Sequence, residues 1–187
     1  AEYSVIPDMI EAGTFICLAA ATKSRIRLTH VNPNHLDDFL DKMRDFGVRL
    51  EILKDSIQVL PSSSFGAIKI IKTGIYPGFP TDLQQPTTVL ATQAQGITTV
   101  FETMFDGRFG YTHYLTQMNA DIVKKSNNVI LVTGPTPLYG AEVEAVDLRA
   151  GATLVIAGLL ARGKTIINRA EVIDRGYVKI VERLQVI

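Results

Sequence analysis

The chain has 187 residues, which is enough for one hydrophobic core of ordinary size, and we predict a single domain over 1–187. Nineteen basic and nineteen acidic side chains give no net formal charge, so no overall field would attract a nucleic acid or an anionic membrane. The single cysteine excludes an internal disulfide framework, and no run of roughly 18 uncharged apolar residues predicts a membrane span. Without a recognisable signal peptide, the expected location is the cytoplasm.

The predicted elements follow one another in a repeating order. Residues 10–31 predict an apolar helix with an acidic start at Glu11, followed by a strand. Residues 39–60 predict an amphipathic helix and two short strands joined by a tight turn. The same two patterns recur at 81–101 and 114–132. The chain therefore contains at least two copies of one supersecondary unit.

A third copy begins at 147–168 and stops early, after its second helix has begun in "DRGYVKIVERLQVI". The first helices of the three copies, in "FICLAAA", "VLATQA" and "ATLVIAGLLA", are apolar on most faces and should lie at the centre. One unit alone cannot bury such a helix. We therefore predict an α/β protein with three βαβαββ-type units, their first helices in a shared core and their sheets outside.

Charged residues stand where these helices and their loops begin. Asp147 and Arg149 precede the third apolar helix, where an aspartate would cap the helix and the arginine would be solvated. Alternatively, three helix N-termini converge at one end of the core and hold an anionic ligand. Arg108 and Arg175 lie beside glycines in loops. Each is either a solvated surface residue or a hydrogen-bond donor to the carboxylate or phosphate groups of a ligand. The residues alone leave these alternatives open.

Five motifs carry a resemblance to a known family. In chain order they are "VIPDMIEAGTF", "YPGFPTDLQ", "ETMFDGRF", "VDLRAGATLVIAGL" and "IDRGYVKIVERL". Together they resemble consecutive motifs of the UDP-N-acetylglucosamine enolpyruvyl transferases of bacterial peptidoglycan synthesis. The resemblance implies an inside-out α/β barrel, and about the latter half of a two-domain, six-unit enzyme whose first domain is missing here. It also implies transfer of the enolpyruvyl group of phosphoenolpyruvate to the 3-hydroxyl of UDP-N-acetylglucosamine, without a cofactor.

The resemblance assigns roles to individual residues. Asp82 resembles the general base that hydrogen-bonds the sugar hydroxyl, Thr81 should lie beside the nucleotide sugar, and Met104 should contact it through the backbone. Asp147 and Arg149 resemble a pair at the phosphoenolpyruvate end of the site. Two loop arginines also have counterparts in the family. Arg175 resembles the arginine that binds the carboxylate or phosphate of phosphoenolpyruvate. Arg108 resembles another arginine of the same cleft.

These roles predict a geometry. We expect Asp82, Arg108, Asp147, Arg149 and Arg175 to lie on one face, with their charged tips directed to a common concavity. Asp147 should pair with a nearby arginine or amide, which keeps it oriented. Asp82 should stand outside the direct ion pairs, because a base must be free to take a proton.

The expected catalytic thiol has no counterpart in this chain. Cys17 falls inside an apolar helix, where a thiol behaves as a small buried hydrophobe. The chain alone should therefore be inactive and should self-associate weakly through exposed apolar surface. His30, His35 and His113 share no metal-ligand spacing, so no metal is expected. Two alternatives stay open: a non-catalytic half-enzyme that serves as a binding or scaffold domain, and a relative that acts on shikimate phosphate.

Overall fold

Helices and strands alternate along the chain. The computed structural model describes residues 1–185. Within this range the α-helices are α1 (Met9–Ala21), α2 (Asp37–Asp45), α3 (Thr81–Thr92), α4 (Thr112–Gln117), α5 (Leu148–Leu160) and α6 (Ile180–Leu184). The strands are β1 (Ile26–Thr29), β2 (Arg49–Ile52), β3 (Ser56–Leu60), β4 (Ile70–Lys72), β5 (Gly96–Phe101), β6 (Asp121–Ser126), β7 (Val129–Gly134), β8 (Glu142–Glu144) and β9 (Ile166–Asn168). Short 3-10 helices span Pro33–His35 and Ala170–Arg175.

The strands form three separate sheets within the described range. The first is antiparallel in the order β1-β3-β2, and the second has the order β4-β5-β7-β6. In the second sheet β4 and β5 are parallel and the other pairs are antiparallel. The third sheet consists of the parallel pair β8 and β9. These observations confirm the α/β class.

Helices α1, α3 and α5 form the centre, and each packs against the other two. Every residue of α1 from Ala12 to Ala21 is buried, as expected for a helix with apolar side chains on most faces. Gly13 of α1 permits this packing, because a Cβ atom there would come within 2.5 Å of the Leu83 side chain of α3. Gly151 of α5 similarly admits the side chain of Ile173. The prediction of buried first helices is confirmed for α1 and α3, whereas α5 is buried along its middle and Leu159 near its end is 52% exposed.

The start of α1 corrects one detail of the sequence analysis. The helix begins at Met9, not at the predicted acidic residue Glu11, because Asp8 caps it. The Oδ1 atom of Asp8 accepts hydrogen bonds from the amides of Ile10 at 2.8 Å and Glu11 at 3.0 Å. Two of the orphan amides of the first turn are satisfied in this way.

The two predicted hairpins are present, as β2-β3 and β6-β7. The middle segment of the chain has the order β4-α3-β5-α4-β6-β7. In the last segment, the second helix predicted within 174–187 is present as the short helix α6, and the 3-10 helix Ala170–Arg175 precedes it; residues 186–187 of that prediction lie outside the described range. None of the helices in residues 1–185 is both long enough and apolar enough to cross a membrane.

Candidate functional site

The N-terminal ends of the three central helices are joined by side chains. Asp82, in the first turn of α3, accepts a hydrogen bond from Nε of Arg149, in the first turn of α5, at 3.1 Å. Nη1 of Arg149 donates to the hydroxyl of Tyr177 at 3.0 Å. That hydroxyl lies 2.8 Å from Oγ1 of Thr14 in α1. The starts of α3 and α5 therefore meet directly, and Tyr177 links them to the second turn of α1.

Asp82 lies between two arginines. Its Oδ1 atom accepts from Nη2 of Arg108 at 2.5 Å, and its Oδ2 atom is the one bonded to Arg149. The expectation that Asp82 stands outside the direct ion pairs is therefore wrong. The reason is tertiary packing, because the contact of α3 with α5 and the loop after β5 bring both guanidinium groups to the Asp82 carboxylate.

Asp147 caps α5, which is one of the two roles considered for it from the sequence. It precedes α5, and its Oδ1 atom accepts from the amide of Ala150 at 2.8 Å. The expectation that Asp147 pairs with an arginine or an amide is met by this amide. Its side chain is exposed, whereas Arg149, two residues on, is half-buried.

Arg175 ends the 3-10 helix and is exposed. The next residue, Gly176, lies against Arg149: a Cβ atom there would be 3.7 Å from Nη1 of Arg149. The backbone beside Arg175 is thus adjacent to Arg149. The structure shows no hydrogen bond from the Arg175 side chain within the described residues that would fix its direction.

A cavity of about 660 Å³ opens beside Asp82, which is within the size range of small-molecule sites. Its walls come from the start of α1, the loop before α3, the start of α3 and the loop after β5. The lining residues are Met9, Ile10, Gly74, Tyr76, Gly78, Pro80, Thr81, Asp82, Met104, Phe105, Asp106 and Arg108. Four predicted site residues, Thr81, Asp82, Met104 and Arg108, are among them. Asp147, Arg149 and Arg175 do not line it. The prediction that all five charged residues face one common concavity is therefore wrong for this cavity.

A second acid, which sequence reasoning missed, supports the cavity wall from behind. Glu102 follows β5 and is fully buried. Its carboxylate accepts hydrogen bonds from the hydroxyls of Thr73 and Thr81 and from the amides of Met104 and Phe105. The sequence signal that could have identified Glu102 is an acid immediately after an apolar strand, because a buried charge there must be stabilised by hydrogen bonds.

The contacts of Arg149 keep it charged. Burial alone lowers the pKa of its guanidinium, but the contacts with Tyr177 and Asp82 outweigh burial, so the pKa lies above its ordinary value. Burial raises the pKa of the Tyr177 hydroxyl, although the hydrogen bond with Thr14 and the charge of Arg149 oppose the rise. At neutral pH the arginine is therefore a cation and the tyrosine is neutral. Tyr177 was also missed, although it stands in the "DRGY" motif.

Metal-binding clusters and the Cys17 thiol are the other candidates for chemistry. Within residues 1–185, no group of three or more His, Cys, Asp or Glu residues is arranged to hold a metal ion. Cys17 is buried in α1, and its Sγ atom lies 3.5 Å from Oγ1 of Thr87. Burial raises the pKa of this thiol to about 12. It is not a nucleophile at neutral pH.

Comparisons with known proteins give consistent results. UDP-N-acetylglucosamine 1-carboxyvinyltransferase 2 of Geobacillus kaustophilus is 48% identical over 182 residues, which are 97% of this chain and 42% of that protein. UDP-N-acetylglucosamine 1-carboxyvinyltransferase of Streptococcus pneumoniae serotype 2 is 50% identical over 183 residues, 98% of this chain and 43% of that protein. The chain thus spans less than half the length of these curated relatives.

Solved structures support the same relationship. The enolpyruvyl transferase NikO from Streptomyces tendae matches with a TM-score of 0.88 and 28% identity, over 98% of this chain and 43% of that chain. An EPSP synthase from Acinetobacter baumannii shares the fold, with a TM-score of 0.68 and 19% identity over 94% of this chain and 44% of that one. The family model described as EPSP synthase (3-phosphoshikimate 1-carboxyvinyltransferase) matches residues 1–184. The chain belongs to the EPSP synthase family.

Proposed function

We propose that the full-length protein transfers the enolpyruvyl group of phosphoenolpyruvate to the 3-hydroxyl of UDP-N-acetylglucosamine and releases phosphate, as the first committed step of peptidoglycan synthesis. The observation that carries this proposal is the placement of Asp82 between two arginines at the wall of a cavity. The chain is also about half identical to enzymes named for UDP-N-acetylglucosamine carboxyvinyl transfer. Since both substrates are intracellular metabolites, the proposed location is the cytoplasm.

The proposed architecture is one half of a two-domain enzyme. The three central helices with sheets of three, four and two strands support a single-domain, inside-out α/β barrel of three units. The coverage of 43% of the Streptococcus pneumoniae relative supports a missing N-terminal domain that would close the site. Without that domain, the general base on this side lacks a proton donor opposite it.

Asp82 is the proposed general base. The hydroxyl oxygen of the sugar bonds to C2 of phosphoenolpyruvate while Asp82 accepts the hydroxyl proton. A proton added at C3 completes the addition, and its later loss, with cleavage of the C2–O bond to phosphate, restores the vinyl group. Each carboxylate oxygen of Asp82 takes one arginine N–H group and retains a lone pair for the hydroxyl. The two arginines therefore orient the base without using all of its acceptor capacity.

The remaining site residues have proposed binding roles. Thr81 and Met104 line the cavity and would contact the sugar nucleotide. Arg108 and Arg149 each use two N–H groups on described neighbours and have further donors for an anion. Arg175 would bind the carboxylate or phosphate of phosphoenolpyruvate. Asp147 would orient the adjacent backbone at the phosphoenolpyruvate end of the site, in addition to capping α5.

The two alternative functions are less well supported. A scaffold domain does not require a carboxylate held between two arginines at a cavity wall. A shikimate-phosphate enzyme is disfavoured because the curated relatives at 45% to 50% identity are named for UDP-N-acetylglucosamine.

The test compares two aspartates at the second position of a helix, Asp82 in α3 and Asp38 in α2. In the full-length protein, Asp82→Asn keeps the shape of the side chain but removes the proton acceptor. We expect turnover, measured by phosphate release, to fall by about 100-fold or more, with sugar-nucleotide affinity changed only a few-fold. Asp38→Asn should leave turnover unchanged. Undiminished turnover in Asp82→Asn would disprove its role as base, and a wild-type protein that releases no phosphate would disprove the function.

A further inference from the structure

The Glu102 carboxylate lacks a charged partner. It is fully buried, and none of the ion pairs in residues 1–185 involves it. A buried carboxylate without a cation is costly unless hydrogen bonds replace its hydration. A glutamate in this position therefore needs an explanation beyond packing.

Four hydrogen bonds stabilise the Glu102 carboxylate. Its Oε1 atom accepts from Oγ1 of Thr73 at 2.8 Å and from the amides of Met104 at 2.7 Å and Phe105 at 3.3 Å. Its Oε2 atom accepts from Oγ1 of Thr81 at 2.6 Å. Met104, Phe105 and Thr81 all line the cavity, whereas Glu102 itself lies behind its wall. One carboxylate thus anchors two separate parts of the wall.

The hydrogen bond to Thr81 also has a direction. A carboxylate can only accept, so the hydroxyl proton of Thr81 points to Glu102 and the Thr81 oxygen is left as an acceptor. That oxygen accepts from Nη1 of Arg108 at 2.8 Å. The same guanidinium bonds Asp82 through Nη2. Glu102 is therefore connected to Asp82 through Thr81 and Arg108.

We propose that Glu102 is a positioning residue for the sugar-nucleotide cavity, which fixes the Thr81 hydroxyl and the Met104–Phe105 backbone and, through Arg108, the orientation of Asp82. This inference rests on the proposed function. Glu102 does not touch the substrate in this scheme. Its contribution is to determine which groups of the wall donate and which accept hydrogen bonds.

The test uses Glu102→Gln in the full-length protein. The glutamine has nearly the same shape, but its NH₂ group changes the hydrogen-bond pattern. Facing Thr81, it donates to the Thr81 oxygen and forces the hydroxyl proton to turn away, and facing the Met104 amide, it places two donors against each other. We expect the dissociation constant for UDP-N-acetylglucosamine, measured by calorimetry, to rise by about tenfold or more. Thr81→Val should cause a similar rise, and Thr81→Ser should not. The double variant Glu102→Gln/Thr81→Val should bind no more weakly than either single variant, because both changes break the same connection.

The matched control is Thr103→Val, which removes a different hydrogen bond of the same loop, from Oγ1 of Thr103 to the carbonyl oxygen of Thr73 at 2.6 Å. It should leave affinity unchanged. If Glu102→Gln does not fold, Thr73→Val loosens the same carboxylate from the other side and should raise the dissociation constant at least about threefold. A wild-type protein that does not bind the sugar nucleotide contradicts the proposed function. Wild-type affinity in the folded Glu102 or Thr73 variant, or losses that simply add in the double variant, contradict this inference.

Discussion

Arg149 is the side chain that connects the most parts of the site. It donates to Asp82 on α3 and to Tyr177, whose hydroxyl contacts Thr14 on α1. Its guanidinium also lies over the Tyr177 ring, with Cζ 5.4 Å from the ring centroid. Since Thr14 donates to the carbonyl of Ile10, the Tyr177 hydroxyl must donate to Thr14 and accept from Arg149. The charge of Arg149 is therefore held in one place by Asp82 and by the Tyr177 hydroxyl.

The Cys17 thiol provides a test at the scale of one residue. Burial raises its pKa to about 12, so the thiolate is scarce at pH 8. We expect iodoacetamide to leave the folded chain unmodified at pH 8 and to alkylate the urea-denatured chain within minutes, as measured by mass spectrometry. Rapid alkylation of the folded chain would contradict the burial of this thiol.

The same pKa shift predicts the effect of alkaline pH on stability. The folded-state pKa of Cys17 is above its ordinary value of about 9, so folding favours the neutral thiol. The contribution to stability is complete below pH 9 and is lost as the pH rises from 9 toward 12. Cys17→Ala should therefore show a weaker loss of unfolding free energy across that pH window than the unmodified chain.

At the scale of elements, the three central helices begin in two different ways. Asp8 and Asp147 cap α1 and α5 by accepting amide hydrogen bonds. The third helix, α3, has no side-chain cap, and its Asp82 bonds two arginines instead. An acid that is not used to satisfy its own helix is available for a ligand. This difference favours Asp82 over Asp147 as the proposed general base.

Substitutions of Asp147 can separate its role in capping α5 from its proposed role at the phosphoenolpyruvate end of the site. Asparagine is as good a capping residue as aspartate, whereas alanine is not. We expect Asp147→Ala to lower the free energy of unfolding of the chain by about 1 kcal/mol and Asp147→Asn to lower it by much less. In the full-length enzyme, Asp147→Asn should nevertheless reduce turnover if the carboxylate charge also serves phosphoenolpyruvate. Urea unfolding and phosphate release measure the two effects, and unchanged turnover in Asp147→Asn would leave this residue with the capping role alone.

At the level of the whole molecule, the cavity beside Asp82 has exposed aromatic residues at its wall. Tyr76 and Phe105, both at its wall, are 63% and 54% exposed. Large aromatic side chains in such positions favour contact with a ligand or another protein surface. A second wall over this cavity would complete the proposed site around Asp82 and Arg108.

We predict that the isolated 187-residue chain does not catalyse the reaction. Catalysis requires groups held on both sides of the reacting atoms, and this chain supplies only one side. Incubation with both substrates should release no phosphate above background, while the full-length protein under the same conditions should do so. Sedimentation of the isolated chain should show weak self-association through the exposed apolar surface. Phosphate release by the isolated chain would contradict the need for a second wall.

Much of the fold was predictable because its signals are local. Apolar runs identified the three central helices, and turn residues such as Asp55 and Asn127 identified the hairpins. The exact start of α1 was not predictable from Glu11, since the choice among nearby acids depends on which one reaches the free amides. The proposed site residues came from motifs, which name residue types but give no contacts between segments.

The α/β class, the burial of the central helices and the set of charged residues at the helix starts follow from the amino-acid sequence, since each depends on residues close together in the chain. Which of these charges meet depends on how distant segments pack together. Asp82 is 26 residues from Arg108 and 67 from Arg149, and these partners are brought to it by the packing of α3 against α5 and by the loop after β5. The role of Glu102 also depends on tertiary structure, because burial of its carboxylate arises only when Thr73, Thr81 and the Met104–Phe105 turn surround it.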